Sequence, residues 1–113
     1  MFAAGLALAA LYDCAFAAES ARTQVLLVGT YHFSNPGRDL NNVKAVDILA
    51  AGRQQEVGKV VAALARFAPT QVAVEWPAQV VNERYAQFRA GQLPQSSNEV
   101  VQLGFRLARE RVS

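Results

Sequence analysis

Val25-Leu26-Leu27-Val28-Gly29-Thr30-Tyr31-His32-Phe33-Ser34-Asn35-Pro36-Gly37 is the stretch on which the fold turns. Four apolar residues stop at a glycine and give way to a polar loop. A short continuous apolar run of this kind is the pattern of a buried strand. With Gln24 in front, the pattern predicts a strand over about 24–28. The loop after it carries His32, the only histidine in the chain. It closes on Pro36-Gly37, a turn-forming pair. Open α/β sheets place ligands at the carboxyl ends of their strands, so a loop in this position is a candidate site.

Further along, Gln71-Val72-Ala73-Val74-Glu75 predicts a second strand, over about 71–75. Trp76-Pro77 ends it, because proline cannot donate to a ladder. Residues 30–51 between the two form a long loop bearing proline and glycine, with room for a short turn around Lys44 to Leu49. A loop this long in a small domain is usually functional or mobile. Arg53 to Phe67 predicts an amphipathic helix, with Val57, Val60, Val61, Leu64 and Phe67 at helical spacing and Pro69 as its stop. Ala78 to Ala90 predicts a second helix, with Val80, Val81, Tyr85 and Phe88 on its inner side and Gly91 as its cap. Ser96-x-x-Glu99 has the form of a capping box and opens a third helix carrying Val100, Val101, Leu103, Gly104 and Leu107.

Strand, helix, strand, helix is the opening of a parallel α/β sheet, with a right-handed first crossover. The expected fold class is therefore α/β: a partial three-layer domain with a parallel sheet (strands about 24–28 and 71–75) and about three helices. Two strands make a poor sheet, since a parallel sheet needs cover on both faces and more neighbours. Residues 18–113 are thus expected to be the N-terminal part of a single α/β domain, truncated at the C-terminus and marginal alone.

The chain has 113 residues, enough for one small domain, and 52% of them are hydrophobic, which argues against disorder. Much of that weight lies in Met1 to Ala17. The run is too short and interrupted for a comfortable membrane span. It ends in Ala15-Phe16-Ala17, which fits signal-peptidase cleavage before Ala18, although no Lys or Arg precedes Arg22. Residues 1–17 are accordingly a candidate signal peptide, and the mature protein is expected to be periplasmic or secreted, without stable membrane insertion. Cleavage would remove Cys14, the single cysteine, and with it any disulfide. The formal net charge is +2. Arg106, Arg109 and Arg111 do not make one tight helical stripe, so nucleic acid is not an expected partner.

His32 can bind a metal or move protons near neutral pH. Glu75 ends the second expected strand, and parallel strands finish at one edge, so His32 and Glu75 are expected side by side. A carboxylate there can ligate a metal, act as a base, or orient the imidazole. Asp39 could add an oxygen ligand, and so could Asp47, although each sits where caps and turns are common. Asn35 could donate to a substrate oxygen. Arg84, on the second helix, could clamp an anion. No P-loop, Gly-x-Gly-x-x-Gly, His-Glu-x-x-His, Cys-x-x-Cys or Gly-x-Ser-x-Gly occurs. A zinc site needs three or four ligands, more than one histidine provides.

Leu26-Leu27-Val28-Gly29-Thr30-Tyr31-His32-Phe33, followed by Val72-Ala73-Val74-Glu75, resembles the opening of the TraB/ChaN/Tiki superfamily, whose relatives include erythromycin-esterase-like proteins. Gly29 to Gly37 together with Arg53-Gln54-Gln55-Glu56 is similar to an uncharacterised bacterial family of exported proteins. The resemblance covers about residues 24–110. It implies an α/β fold with a polar or metal site at the strand ends, with His32 and Glu75 matching the motif histidine and glutamate. The second motif histidine of that superfamily has no counterpart in the sequence. The resemblance implies a metal-assisted hydrolase acting on a small-molecule or peptide substrate. His32 and Glu75 would be catalytic, His32, Glu75 and Asp39 would hold a divalent ion, and Asn35 and Arg84 would bind the ligand. The alternatives are an exported protein that binds haem or another small molecule through His32 without catalysis, and an inactive fragment.

Overall fold

The computed structural model describes residues 22–34 and 46–111. The leader with Cys14, and the candidates Asn35 and Asp39, lie outside the described residues. Every regular element among the described residues is helical. Helix α1 spans Ala51–Ala65 and α2 spans Ala78–Arg89. A wide π-type stretch, Val100–Phe105, then runs directly into α3, Arg106–Arg111.

The expected α/β class is corrected here. No strand forms among the described residues, and neither 24–28 nor 71–75 joins a ladder. The α/β hydrolase-like scaffold that the resemblance implied goes with the sheet. The reason is a partner mistaken for another kind of partner. From Gln71 to Trp76 exposure alternates, with Val72, Val74 and Trp76 half-buried and Gln71, Ala73 and Glu75 exposed. The period of two is real, but the buried side rests on helices: Val74 and Trp76 pack against Val100, Val101 and Phe105. The first stretch has no such cover. Val25, Leu26, Leu27 and Val28 are 73, 48, 88 and 51% exposed.

The helices follow the apolar spacing closely. In α1, Val57 and Val61 are buried and Leu64 half-buried, one face at i, i+4 and i+7. Val60 and Phe67, expected on that face, are exposed. The helix ends two residues before Phe67, in a tightened turn where Phe67 N–H donates to Leu64 O and Ala68 N–H to Ala65 O. Ala68 then takes a left-handed φ of 55°, a conformation costing about 1–2 kcal/mol for a residue with a Cβ, and Pro69 follows. In α2, Val81, Tyr85 and Phe88 form the half-buried face, while Val80 stays exposed. Gly91 takes the expected left-handed cap at φ 70°.

The third helix begins differently from the capping box. Asn98 Oδ1 accepts from Val100 N–H at 2.9 Å, and Asn98 O accepts from Val101 and Gln102 N–H. Asn98 therefore caps the first turn, and Glu99 is released for another use.

The stretch 100–107 is shared by two apolar clusters. On one side Val100, Val101 and Phe105 are buried with Val74, Trp76, Val81, Tyr85, Phe88 and Leu93 around them. Phe105 meets Trp76, Tyr85 and Phe88 at ring-centroid distances of 6.1, 5.3 and 5.6 Å, within the range of favourable aromatic pairs. On the other side Leu103 and Leu107 pack against Ile48, Val57 and Val61, with Phe33 and Leu49. Gly104 is required by proximity: a Cβ there would lie 2.8 Å from Val74 Cγ1. A polar bridge ties α1 to the same stretch. Gln54 Nε2 donates to Ile48 O and to Gln102 Oε1, and the buried Gln102 donates through Nε2 to Ser96 O at 2.6 Å.

Candidate functional site

His32 follows the uncovered stretch 25–28 and precedes a turn at Phe33-Ser34. Two attachments hold it. Phe33 inserts its ring into the cluster of Ile48, Val57 and Val61, and Tyr31 meets that ring edge-on at 5.2 Å. The second attachment is Glu99. Its Oε1 lies 2.7 Å from His32 Nδ1, and its Oε2 accepts from Phe33 N–H at 3.1 Å. One carboxylate thus grips two successive residues more than sixty positions away in sequence.

The pair is asymmetric in exposure. The Glu99 side chain keeps 14% of its accessibility and that of His32 57%. Burial alone pushes the Glu99 carboxyl up. The hydrogen bond to His32, the backbone N–H bonds including that of Phe33, and the His32 charge together outweigh burial, and the carboxyl sits below its ordinary value. Glu99 is therefore ionised at neutral pH. An ionised carboxylate on Nδ1 accepts a proton bond there, which leaves the basic lone pair of a neutral imidazole on Nε2.

Glu75 is exposed, without a hydrogen bond or ion pair among the described residues. The carboxylate on the imidazole is that of Glu99. Arg84 places its guanidinium 5.1 Å from the centre of the Trp76 ring, a cation–π contact instead of an open anion clamp. Asp47 acts as a turn residue, its Oδ1 accepting from Leu49 N–H ahead of α1. Gly29, which suggested a tight strand end, needs neither a left-handed φ nor close approach, for a Cβ there would meet nothing within 4 Å.

Glu99 was legible only as half of a capping box. The signal that could have singled it out is its place at the head of the most apolar helical run, where an acid has few structural uses other than a cap or a long-range partner. Among the described residues no three His, Cys, Asp or Glu side chains come together as a metal site. His32 offers a single nitrogen donor, so the described donor set does not fit a resident divalent ion. No helix of the described residues is long and apolar enough to cross a membrane. No protein-family model, no curated protein and no solved structure matches this chain.

Proposed function

We infer that this chain carries a hydrolytic proton-transfer site, with His32 as general base and Glu99 as the carboxylate that orients it. The observation that supports this reading is the 2.7 Å contact between Nδ1 and Oε1 on a half-buried acid, beside an imidazole that is more than half exposed. A general base needs a defined tautomer, a fixed ring and access to the proton it takes. Glu99 supplies the first two and the exposure of His32 the third. In the step this permits, a water oxygen bonds to the carbonyl carbon of an ester or amide as its proton passes to Nε2. The resulting imidazolium is stabilised by Glu99, and the proton then goes to the leaving group as the tetrahedral intermediate breaks down. The motif likeness around Gly29 to Gly37 points to the same class of chemistry, and the small-molecule or peptide nature of the substrate comes from that likeness. No step is routed through a metal.

Hydrolysis of p-nitrophenyl acetate by the full chain tests the reading, with free imidazole at equal concentration as the baseline. The full chain is expected to exceed that baseline. His32→Ala should lower the excess by about 10²-fold or more. Glu99→Gln should lower it as well and displace the pH profile. A rate unchanged in His32→Ala, with folding confirmed by circular dichroism, would overturn the assignment. The Ala15-Phe16-Ala17 pattern supports an exported location for this chemistry. N-terminal sequencing of the protein from expressing cells is expected to begin at Ala18.

A further inference from the structure

A cavity of about 360 Å³ opens beside the polar bridge between α1 and α3, within the size range of small-ligand sites. Its polar wall is formed by Gln54, Gln102, Arg106 and Arg109, and Phe88 and Leu93 belong to its apolar wall. No Asp or Glu lines it. Arg106 is half-buried, and its Nη1 donates to Gln54 Oε1 at 3.2 Å, with Gln102 Oε1 at 3.5 Å. Both acceptors are neutral amides, so the guanidinium charge has no counter-charge among the described residues. Its Nη2 lies over the α1 backbone, 3.4 Å from where a Cβ at Gly58 would be. Gly58 costs the helix about 1 kcal/mol relative to Ala and leaves the space this guanidinium uses. Arg109 lies with its guanidinium 4.9 Å from the centre of the Phe88 ring.

Two like charges three residues apart on one helix repel, and a half-buried cation without a counter-ion is costly. An anion seated between them relieves both. The neighbouring cavity, of about 460 Å³, is larger but has Glu83 beside Arg84, and Arg84 is already occupied by Trp76. It presents no single sign of charge. We propose that the smaller cavity binds a monocarboxylate with an apolar body, its carboxylate on Arg106 and Arg109 and its body against Phe88 and Leu93. Guanidinium groups match a carboxylate with paired, planar donors, and the aromatic and aliphatic wall selects a ligand longer than a bare ion. This site stands apart from His32 and does not depend on its role.

Isothermal titration of the full chain at low ionic strength, where surface charge is least screened, tests the proposal with three probes: hexanoate, hexan-1-ol and inorganic phosphate. Hexanoate is expected to bind saturably, and more tightly than either of the others. Arg109→Gln should weaken it about tenfold, equal to about 1.4 kcal/mol. Arg106→Lys, which keeps the charge but loses the planar fork, should weaken it too, while Arg53→Gln on the exposed face of α1 leaves it unchanged. The proposal is overturned by any of four results: no saturable hexanoate binding, equal affinity for hexanol, phosphate binding as tight as hexanoate, or equal losses in Arg109→Gln and Arg53→Gln.

Discussion

Val25-Leu26-Leu27-Val28 and Val100-Val101-Gln102-Leu103 look alike as sequence, yet their fates are opposite. In the first, the best-covered residue is 48% exposed; in the second, Val100 and Val101 are 7 and 6% exposed. Composition does not separate them. Neighbours do. The second stretch has Phe105 one turn on and the α2 face beside it, so each apolar side chain meets others within packing distance. The first is followed by Gly29 and a loop whose only apolar anchor into a core cluster is Phe33. An apolar run states a demand for burial, and whether that demand is met depends on which partners reach it.

The contrast can be broken first at its centre. Phe105→Ala should remove the hub of the aromatic cluster and cost about 3–5 kcal/mol, read as a fall in the urea midpoint. A cost below about 1 kcal/mol would mean that the cluster is loosely packed and that the two regions differ less than their exposures suggest. Next in size is Asn98→Ala, which strips the cap from the buried helix and should cost about 1 kcal/mol. The Ser96→Ala change should cost less, since the Ser96 hydroxyl only accepts from Asn98 N–H.

Glu99 links the two regions, and it does so in a pH-dependent way. Its folded-state carboxyl lies below the unfolded value, so its contribution to stability is fully present above the unfolded value, about 4.3. That contribution is lost as pH falls through the lower, folded value. The wild-type urea midpoint should therefore drop more between about pH 5 and pH 3 than that of Glu99→Gln. The difference should stay below about 1 kcal/mol, because the imidazole is more than half in water. Equal slopes in the two proteins would show that the pair is not formed in solution. The smallest effect is expected at Leu27→Ser. It should change stability by less than about 0.5 kcal/mol while reducing self-association in light scattering, since an exposed apolar run is a site of association. A loss of several kcal/mol there would show the run to be covered after all.

The helices were legible because their signals are local. Spacing in Val57, Val61 and Leu64, and in Val81, Tyr85 and Phe88, placed α1 and α2 within two residues of their observed ends. Gly91 announced its own cap. The sheet was not there to be read. A run such as Val72-Ala73-Val74 shows that one side is buried, and period alone does not say whether a strand or a helix buries it. For the site, His32 was found because it is unique, whereas its carboxylate was assigned to Glu75 by a register that no sheet exists to enforce. Glu99 reaches His32 through tertiary packing, by way of Phe33 and the shared stretch 100–107, and no local pattern encodes such a meeting.

The wide stretch Val100–Phe105 carries a consequence for heredity as well as for packing. An α-helix advances about 100° per residue, and a π-type stretch holds one residue more per turn, often as an insertion at a functional position. The helix there acts as a phase shifter. Upstream of it the buried side faces the aromatic cluster; Leu103 and Leu107 face α1, and Arg106 and Arg109 come out over the anion cavity. Deleting one residue within 100–105 would give an easier, regular helix and turn everything after it by about 100°. Arg106 would swing away from Gln54, and Leu107 from Ile48 and Val61. Single-residue deletions, usually tolerated best in loops, should be least tolerated here, and substitution by size alone would not mimic them.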